Sequence, residues 1–230
     1  MHIFEVLLMS AALGLRHGVD WDHVAALADI TGSRNGTKKN RFVLSLWYAL
    51  GHESVVCLLG SAIILTAWSI PVWADHLMGK AVGVTLVVMG AAMLLSRKRE
   101  EQSGHLSRGI VWFAKIRKLI LRSQSENMPE TFVFSKKSVF LVGIIHGIGA
   151  ETPTQLLLFT TLAGVAADSA GIVAVAAFSL GLFVTHAALA AAGIWLHGGI
   201  RGFRVRFPFT MYAASLLSLI LGVKYLIEAF

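Results

Sequence analysis

The chain has 230 residues, of which 56% are hydrophobic and 14% charged, with a formal net charge of +7 and a mean hydropathy of +0.70. Soluble domains average about 25% charged and about 45–50% apolar residues. The composition therefore excludes a disordered chain, a disulfide scaffold and an ordinary soluble enzyme, and it fits an all-α integral membrane protein. The single cysteine, Cys57, leaves no intrachain disulfide and no dithiol chemistry within one chain.

Hydropathy predicts six membrane-spanning helices, over residues 3–31, 42–67, 77–96, 138–163, 170–197 and 209–229. The first has no basic stretch ahead of its apolar run, so it is expected to be a mature span and not a signal peptide. It carries Arg16, His17, Asp20, Asp22, His23 and Asp29, groups that must face a protein interior or water because lipid cannot solvate them. The loops set the sidedness. Seventeen of the 20 Lys and Arg residues lie in segments 32–41, 97–137 and 198–208, whereas the connections around Asp75 and Asp168 have essentially none. The positive-inside rule then puts these basic loops in the cytoplasm and both termini outside, and it explains the net charge without invoking nucleic acid. Within the long loop 97–137, Ile110–Leu121 mixes Trp112, Phe113 and Ile116 with Lys115, Arg117 and Lys118. It reads equally as a solvated basic loop or as an amphipathic helix on the anionic inner leaflet.

The two halves are alike. His17-Gly18-Val19-Asp20-Trp21-Asp22 and His146-Gly147-Ile148-Gly149-Ala150-Glu151 both place His-Gly ahead of a carboxylate five residues after the His. Ala49-Leu50-Gly51 matches Ser179-Leu180-Gly181 at nearly the same offset, and Gly90 and Gly222 sit late in the third and sixth spans. Three spans per copy forces the second copy to be inverted, a plan common among secondary transporters. The predicted organisation is a first three-helix repeat over 1–96, a basic cytoplasmic loop over 97–137 and a second three-helix repeat over 138–230.

The polar residues inside the spans carry the chemistry. An ionised group at the bilayer centre costs roughly 2.5–3.5 kcal/mol, so a bound cation, water or mutual pairing has to offset it. In one regular helix His17, Asp20 and His23 share a face, while Asp22 points about 100° from His23 and about 140° from His17. All four aim at one point only if the helix unwinds, which Gly14 and Gly18 permit. Imidazole with carboxylate suits a borderline divalent transition metal better than sodium or potassium. His52-Glu53 resembles half of a zinc-protease helix, but the required second His is replaced by Val56. The pair is better read as a further contribution to a cation path, although Glu53 is equally explained as a polar group at a helix interface. His146 and Glu151 occupy the matching place in the second half, and Pro153 should break the helix there. The candidate metal residues are therefore His17, Asp20, Asp22, His23, His52, Glu53, His146 and Glu151. His186 is better explained by a hydrogen bond at a helix interface.

The stretch Leu15-Arg16-His17-Gly18-Val19-Asp20-Trp21-Asp22-His23-Val24-Ala25-Ala26 resembles the signature of the nickel/cobalt transporter family, a His, four residues and Asp-His preceded by Leu-Arg. Gly18 and Trp21 replace the Ala residues most often seen there. Leu50-Gly51-His52 is similar to the family's second motif, with Glu53 where a small hydroxyl residue is usual, and Glu151-Thr152 looks like an Asp-Thr of the longer permeases. The length and Val142-Gly143-Ile144-Ile145-His146-Gly147 look more like the shorter six-span urease-accessory-type branch. The resemblance implies a secondary transporter of Ni2+ or Co2+ in the cytoplasmic membrane, with His17, Asp22 and His23 at the substrate. That would be a protein that is no enzyme, holds no cofactor and has the metal cation and the lipid bilayer as partners. Its family also includes exporters with a His-rich loop. Segment 97–137 has only His105, which favours uptake. A membrane haem protein and an intramembrane metalloenzyme are the competing readings of the same residues.

Overall fold

The computed structural model describes residues 3–33, 36–66, 72–101, 134–149, 168–198 and 208–228. The described residues form seven α-helices and no strand. These are α1 (Ile3–His17), α2 (Trp21–Gly32), α3 (Lys38–Thr66), α4 (Val72–Glu101), α5 (Lys136–Gly149), α6 (Asp168–Gly198) and α7 (Pro208–Glu228). Within them Lys38–Thr66, His76–Leu95 and Ser169–Leu196 are long and apolar enough to cross a bilayer.

The predicted first span is broken. Gly18 still donates its N–H to the Gly14 carbonyl at 3.1 Å, but Val19 and Asp20 donate to Arg16 and His17, a tightened turn that ends α1. Asp20 then adopts extended backbone angles (φ −63°, ψ 148°) and starts α2 as its N-cap, without a side-chain capping bond. Its carboxylate is engaged with His17 instead. At the other end of α2, Arg41 Nη1 donates to the Thr31 carbonyl at 2.6 Å, and the Ser33 hydroxyl donates to the Ile30 carbonyl at 2.6 Å. These two bonds satisfy carbonyls that a helix end leaves open. α5 begins with a reciprocal serine box, Ser138 N–H to Ser135 Oγ at 3.0 Å and Ser135 N–H to Ser138 Oγ at 2.9 Å.

Two helices outrun their hydropathic spans. α3 starts at Lys38 and not at 42, and α4 continues through Arg97-Lys98-Arg99-Glu100-Glu101. Hydropathy marks where lipid ends, whereas Lys, Arg and Glu are good helix formers that carry the backbone pattern into water. Of the predicted span 138–163 only the part up to Gly149 is described. Glu151, Pro153 and the stretch Ile110–Leu121 lie outside the described residues.

Large apolar side chains are exposed on the surface, and a set of ionisable ones is buried. Leu58, Leu180, Trp73 and Trp195 are all more than 60% exposed, while His23, His52 and His146 are fully buried. One apolar cluster joins α2, α3, α4 and α5 around Leu27, Ile30, Tyr48 and Leu86. Another joins α3 and α6 around Val56, Ile63, Phe178 and Leu182. The helices approach closely through glycines. A Cβ at Gly14 would meet the Phe178 carbonyl, and a Cβ at Gly143 would meet the Tyr48 carbonyl. Conversely, a Cβ at Gly51 would meet the Phe140 carbonyl and one at Gly181 the Ala11 carbonyl. The glycine contacts of α1 with α6 and of α5 with α3 thus correspond in number on adding 129 or 130 to the first-half residues. α4 and α7 pair with each other, through Gly83, Gly90 and Gly222.

Candidate metal centre

The break between α1 and α2 aims residues that a continuous helix would splay. His17 is the last residue of α1, and Asp22 and His23 lie in the first turn of α2. Tyr48, His52 and Glu53 come from α3, His146 from α5 and His186 from α6. The His23 ring lies at the centre. Its centroid is 5.0 Å from His17, 4.7 Å from His52 and 4.9 Å from His186, and His52 is 5.3 Å from His186. Two imidazoles on one metal, with bonds of about 2.0–2.1 Å, hold their ring centroids roughly 4.5–5.5 Å apart. The four separations fall in that range, and His17 to His52, at 5.9 Å, is just beyond it.

Three overlapping groups bring ligand atoms within 4.8 Å of one another: His17, His23 and His52; Asp22, His23 and His146; His52, Glu53 and His186. His23 and His52 are each shared by two groups. Of the eight residues picked out in the sequence, these groups contain His17, Asp22, His23, His52, Glu53 and His146. Asp20 is 28% exposed and accepts a hydrogen bond from His17 Nδ1–H at 3.0 Å, so it orients a ring from the rim. Glu151 lies outside the described residues.

By its position in the sequence His186 is better explained by a hydrogen bond at a helix interface. It does make one: its Nδ1–H donates to Glu53 Oε1 at 2.8 Å. The same bond leaves the lone pair on Nε2, and His186 groups with His52 and Glu53, so it also belongs to the candidate ligand set. Tyr48 and Thr85 were missed. Tyr48 stands one helical turn before His52 on the same face of α3, a signal that was present. Thr85 has no such signal. The Tyr48 hydroxyl lies 3.1 Å from His23 Nδ1 and 3.0 Å from His146 Nδ1, and the Thr85 hydroxyl lies 2.8 Å from His146 Nε2. Asp29 is elsewhere, buried against α7, where it accepts from Ser218 at 2.7 Å and from Ser215 at 3.4 Å.

Several buried atoms of the cluster have no hydrogen-bond partner among the described residues: Asp22 Oδ2, His23 Nε2, both ring nitrogens of His52, Glu53 Oε2 and His186 Nε2. Leaving such a group unsatisfied costs about 1–3 kcal/mol. Nitrogen and carboxylate oxygen, converging and buried, form a donor set that a divalent transition metal would complete.

No family model matches the chain, and no solved structure matches it. The high-affinity nickel transport protein of Cupriavidus necator is 24% identical over 164 residues, which cover 66% of this chain and 47% of that protein. The urease accessory protein UreH of Bacillus sp. strain TB-90 is 25% identical over 160 residues, 70% of this chain and 64% of its own length. The cobalt transport protein NhlF of Rhodococcus rhodochrous is 24% identical over 173 residues, 69% of this chain and 49% of its own length. The chain spans about half to just under two thirds of the length of these curated relatives. The chain is thus similar, at low identity, to proteins named for nickel and cobalt transport and to a urease accessory protein.

Proposed function

We propose that this homologue of nickel and cobalt transport proteins is a permease that carries Ni2+ or Co2+ inward across the cytoplasmic membrane. The carrying observation is the buried convergence of His17, His23, His52 and His186 with Asp22 and Glu53; His23 Nε2, both His52 ring nitrogens, His186 Nε2, Asp22 Oδ2 and Glu53 Oε2 have no hydrogen-bond partner among the described residues. The cation exchanges its water for imidazole and carboxylate, which offsets the cost of dehydration. Because the groups His17–His23–His52 and His52–Glu53–His186 share His52, an ion can pass between them by replacing one ligand at a time, and it is never fully bare.

The matched glycine crossings support an inverted repeat, with segment 97–137 joining two three-helix halves. On this reading the site lies between the halves, and rocking one against the other exposes it to alternate sides. The basic segments face the cytoplasm and both termini lie outside. The sequence holds no Gly-rich nucleotide-binding loop. A divalent cation entering a negative interior gains about 4.6 kcal/mol per 100 mV, twice the single-charge value.

The test is uptake of radioactive Ni2+ by cells expressing the chain, beside His23→Ala and His52→Ala variants matched for membrane abundance, with Co2+, Zn2+ and Mn2+ as competitors. Saturable uptake that falls at least about tenfold in both variants is expected, because each removes a shared ligand. Wild-type uptake no greater than in cells without the chain would sink the inward-permease reading.

A further inference from the structure

His17 and His186 each have a carboxylate to fix which ring nitrogen carries the proton, Asp20 for the first and Glu53 for the second. His23, the central ring, has no hydrogen bond to a carboxylate among the described residues, and Asp22 Oδ2 stays 3.8 Å from its Nδ1. Its Nδ1 meets a longer chain instead, which crosses four helices: His23 on α2, Tyr48 on α3, His146 on α5 and Thr85 on α4.

The direction of this chain follows from its last link. The Thr85 hydroxyl has one proton and lies 2.8 Å from the Val82 carbonyl and 2.8 Å from His146 Nε2. A carbonyl only accepts, so both contacts are hydrogen bonds only if Thr85 donates to Val82 and His146 Nε2–H donates to Thr85. His146, fully buried between two neutral hydroxyls, is then the neutral Nε2–H tautomer, and its Nδ1 accepts from Tyr48 O–H. The Tyr48 oxygen, its proton spent, accepts from His23 Nδ1–H. His23 is left with its lone pair on Nε2, a buried atom with no hydrogen-bond partner among the described residues, in a ring that lies between His17, His52 and His186. With Nε2–H in its place the same ring would turn a proton toward an incoming cation.

We propose that Thr85, His146 and Tyr48 form a relay of positioning residues that holds His23 in its metal-binding tautomer. Thr85 acts on the cation through three successive hydrogen bonds, and His146 orients a ligand in place of being one. This inference rests on the transport reading for the identity of the cation.

Two measurements test it on the full-length protein in lipid. The first is nitrogen-15 NMR of histidine-labelled, metal-free protein, with the His23 signals assigned by their loss in His23→Ala. Wild type is expected to show His23 protonated at Nδ1 and unprotonated at Nε2. Thr85→Val, which keeps shape and loses the hydroxyl, is expected to mix the two tautomers, and Thr85→Ser to restore the first. The second is calorimetric Ni2+ binding. Thr85→Val and Tyr48→Phe are expected to weaken it by about 10–100-fold, the usual range for loss of an orienting partner, while Thr85→Ser stays near wild type. The relay alone is overturned if wild type binds Ni2+ with His23 protonated at Nε2, or if Thr85→Val changes neither readout. A wild type with the expected tautomer but no affinity for Ni2+ or Co2+ would overturn the transport reading and, with it, the purpose assigned to the relay.

Discussion

His52 has both ring nitrogens buried without a hydrogen-bond partner among the described residues. Such a residue lowers the stability of the metal-free protein, since an unsatisfied buried polar group costs about 1–3 kcal/mol. Replacing it by an apolar side chain of similar reach removes that cost. His52→Leu is therefore expected to melt at the same or a higher temperature than wild type in the absence of metal, and to lose Ni2+ uptake. Added Ni2+ should raise the melting temperature of wild type only. A ligand at 100 times its Kd stabilises a fold by about 2.7 kcal/mol. A His52→Leu protein that still gains thermal stability from Ni2+ would show that His52 is dispensable to the site. Asp20 makes a contrasting case. Asn is as good an N-cap as Asp, so Asp20→Asn should leave α2 intact while weakening the hold on His17 Nδ1–H. The expected result is an unchanged melting temperature with a higher KM for Ni2+ uptake.

At the scale of helices, close packing positions the candidate ligands. Gly14 lies three residues before His17 and faces the Phe178 carbonyl of α6, with the Leu182 backbone N just beyond. A side chain there must push α1 off α6, and His17 moves with it. Gly14→Val is expected to lower stability by about 1–3 kcal/mol, as overpacking generally does, and to reduce Ni2+ uptake. Gly79 is the control, since an added Cβ meets nothing within 4 Å. Gly79→Ala should be neutral or stabilising by about 0.5–1 kcal/mol, because Ala is the better helix former. Thermal melts of both variants decide the point, and equal melting temperatures would refute the packing argument. The sequence held the helix break only as a condition: His17, Asp20, Asp22 and His23 reach one point only if the span unwinds, which Gly14 and Gly18 permit. The structure makes the break between His17 and Trp21, with Asp20 as the N-cap of α2.

For the whole molecule, orientation in the bilayer is a matter of charge. The proposed topology places segment 32–41 inside and the connection after α3 outside. Thr37 and Trp73 are exposed and lie near these two turns. In a Cys57→Ser background, Thr37→Cys should react with a membrane-impermeant maleimide only after cells are permeabilised, and Trp73→Cys should react in intact cells. The reverse pattern would invert the topology and with it the inward direction of transport.

Composition and local spacing determined the all-helical membrane class and placed the three helices that are long and apolar enough to cross a bilayer, because each depends on residues within a turn or a span of one another. Which side of each helix faces inward was decided only by the tertiary structure. In lipid the outer face of a span is as apolar as its packed face, so Leu58 at the surface and Val56 in the core look alike in the sequence. Only polar residues mark the inner face, and their partners are remote. Tyr48 meets His146 across 98 positions and Glu53 meets His186 across 133. Those pairings depend on glycines that let α3 approach α5, and α1 approach α6, to backbone contact, a geometry set by how the helices cross and not by any one helix.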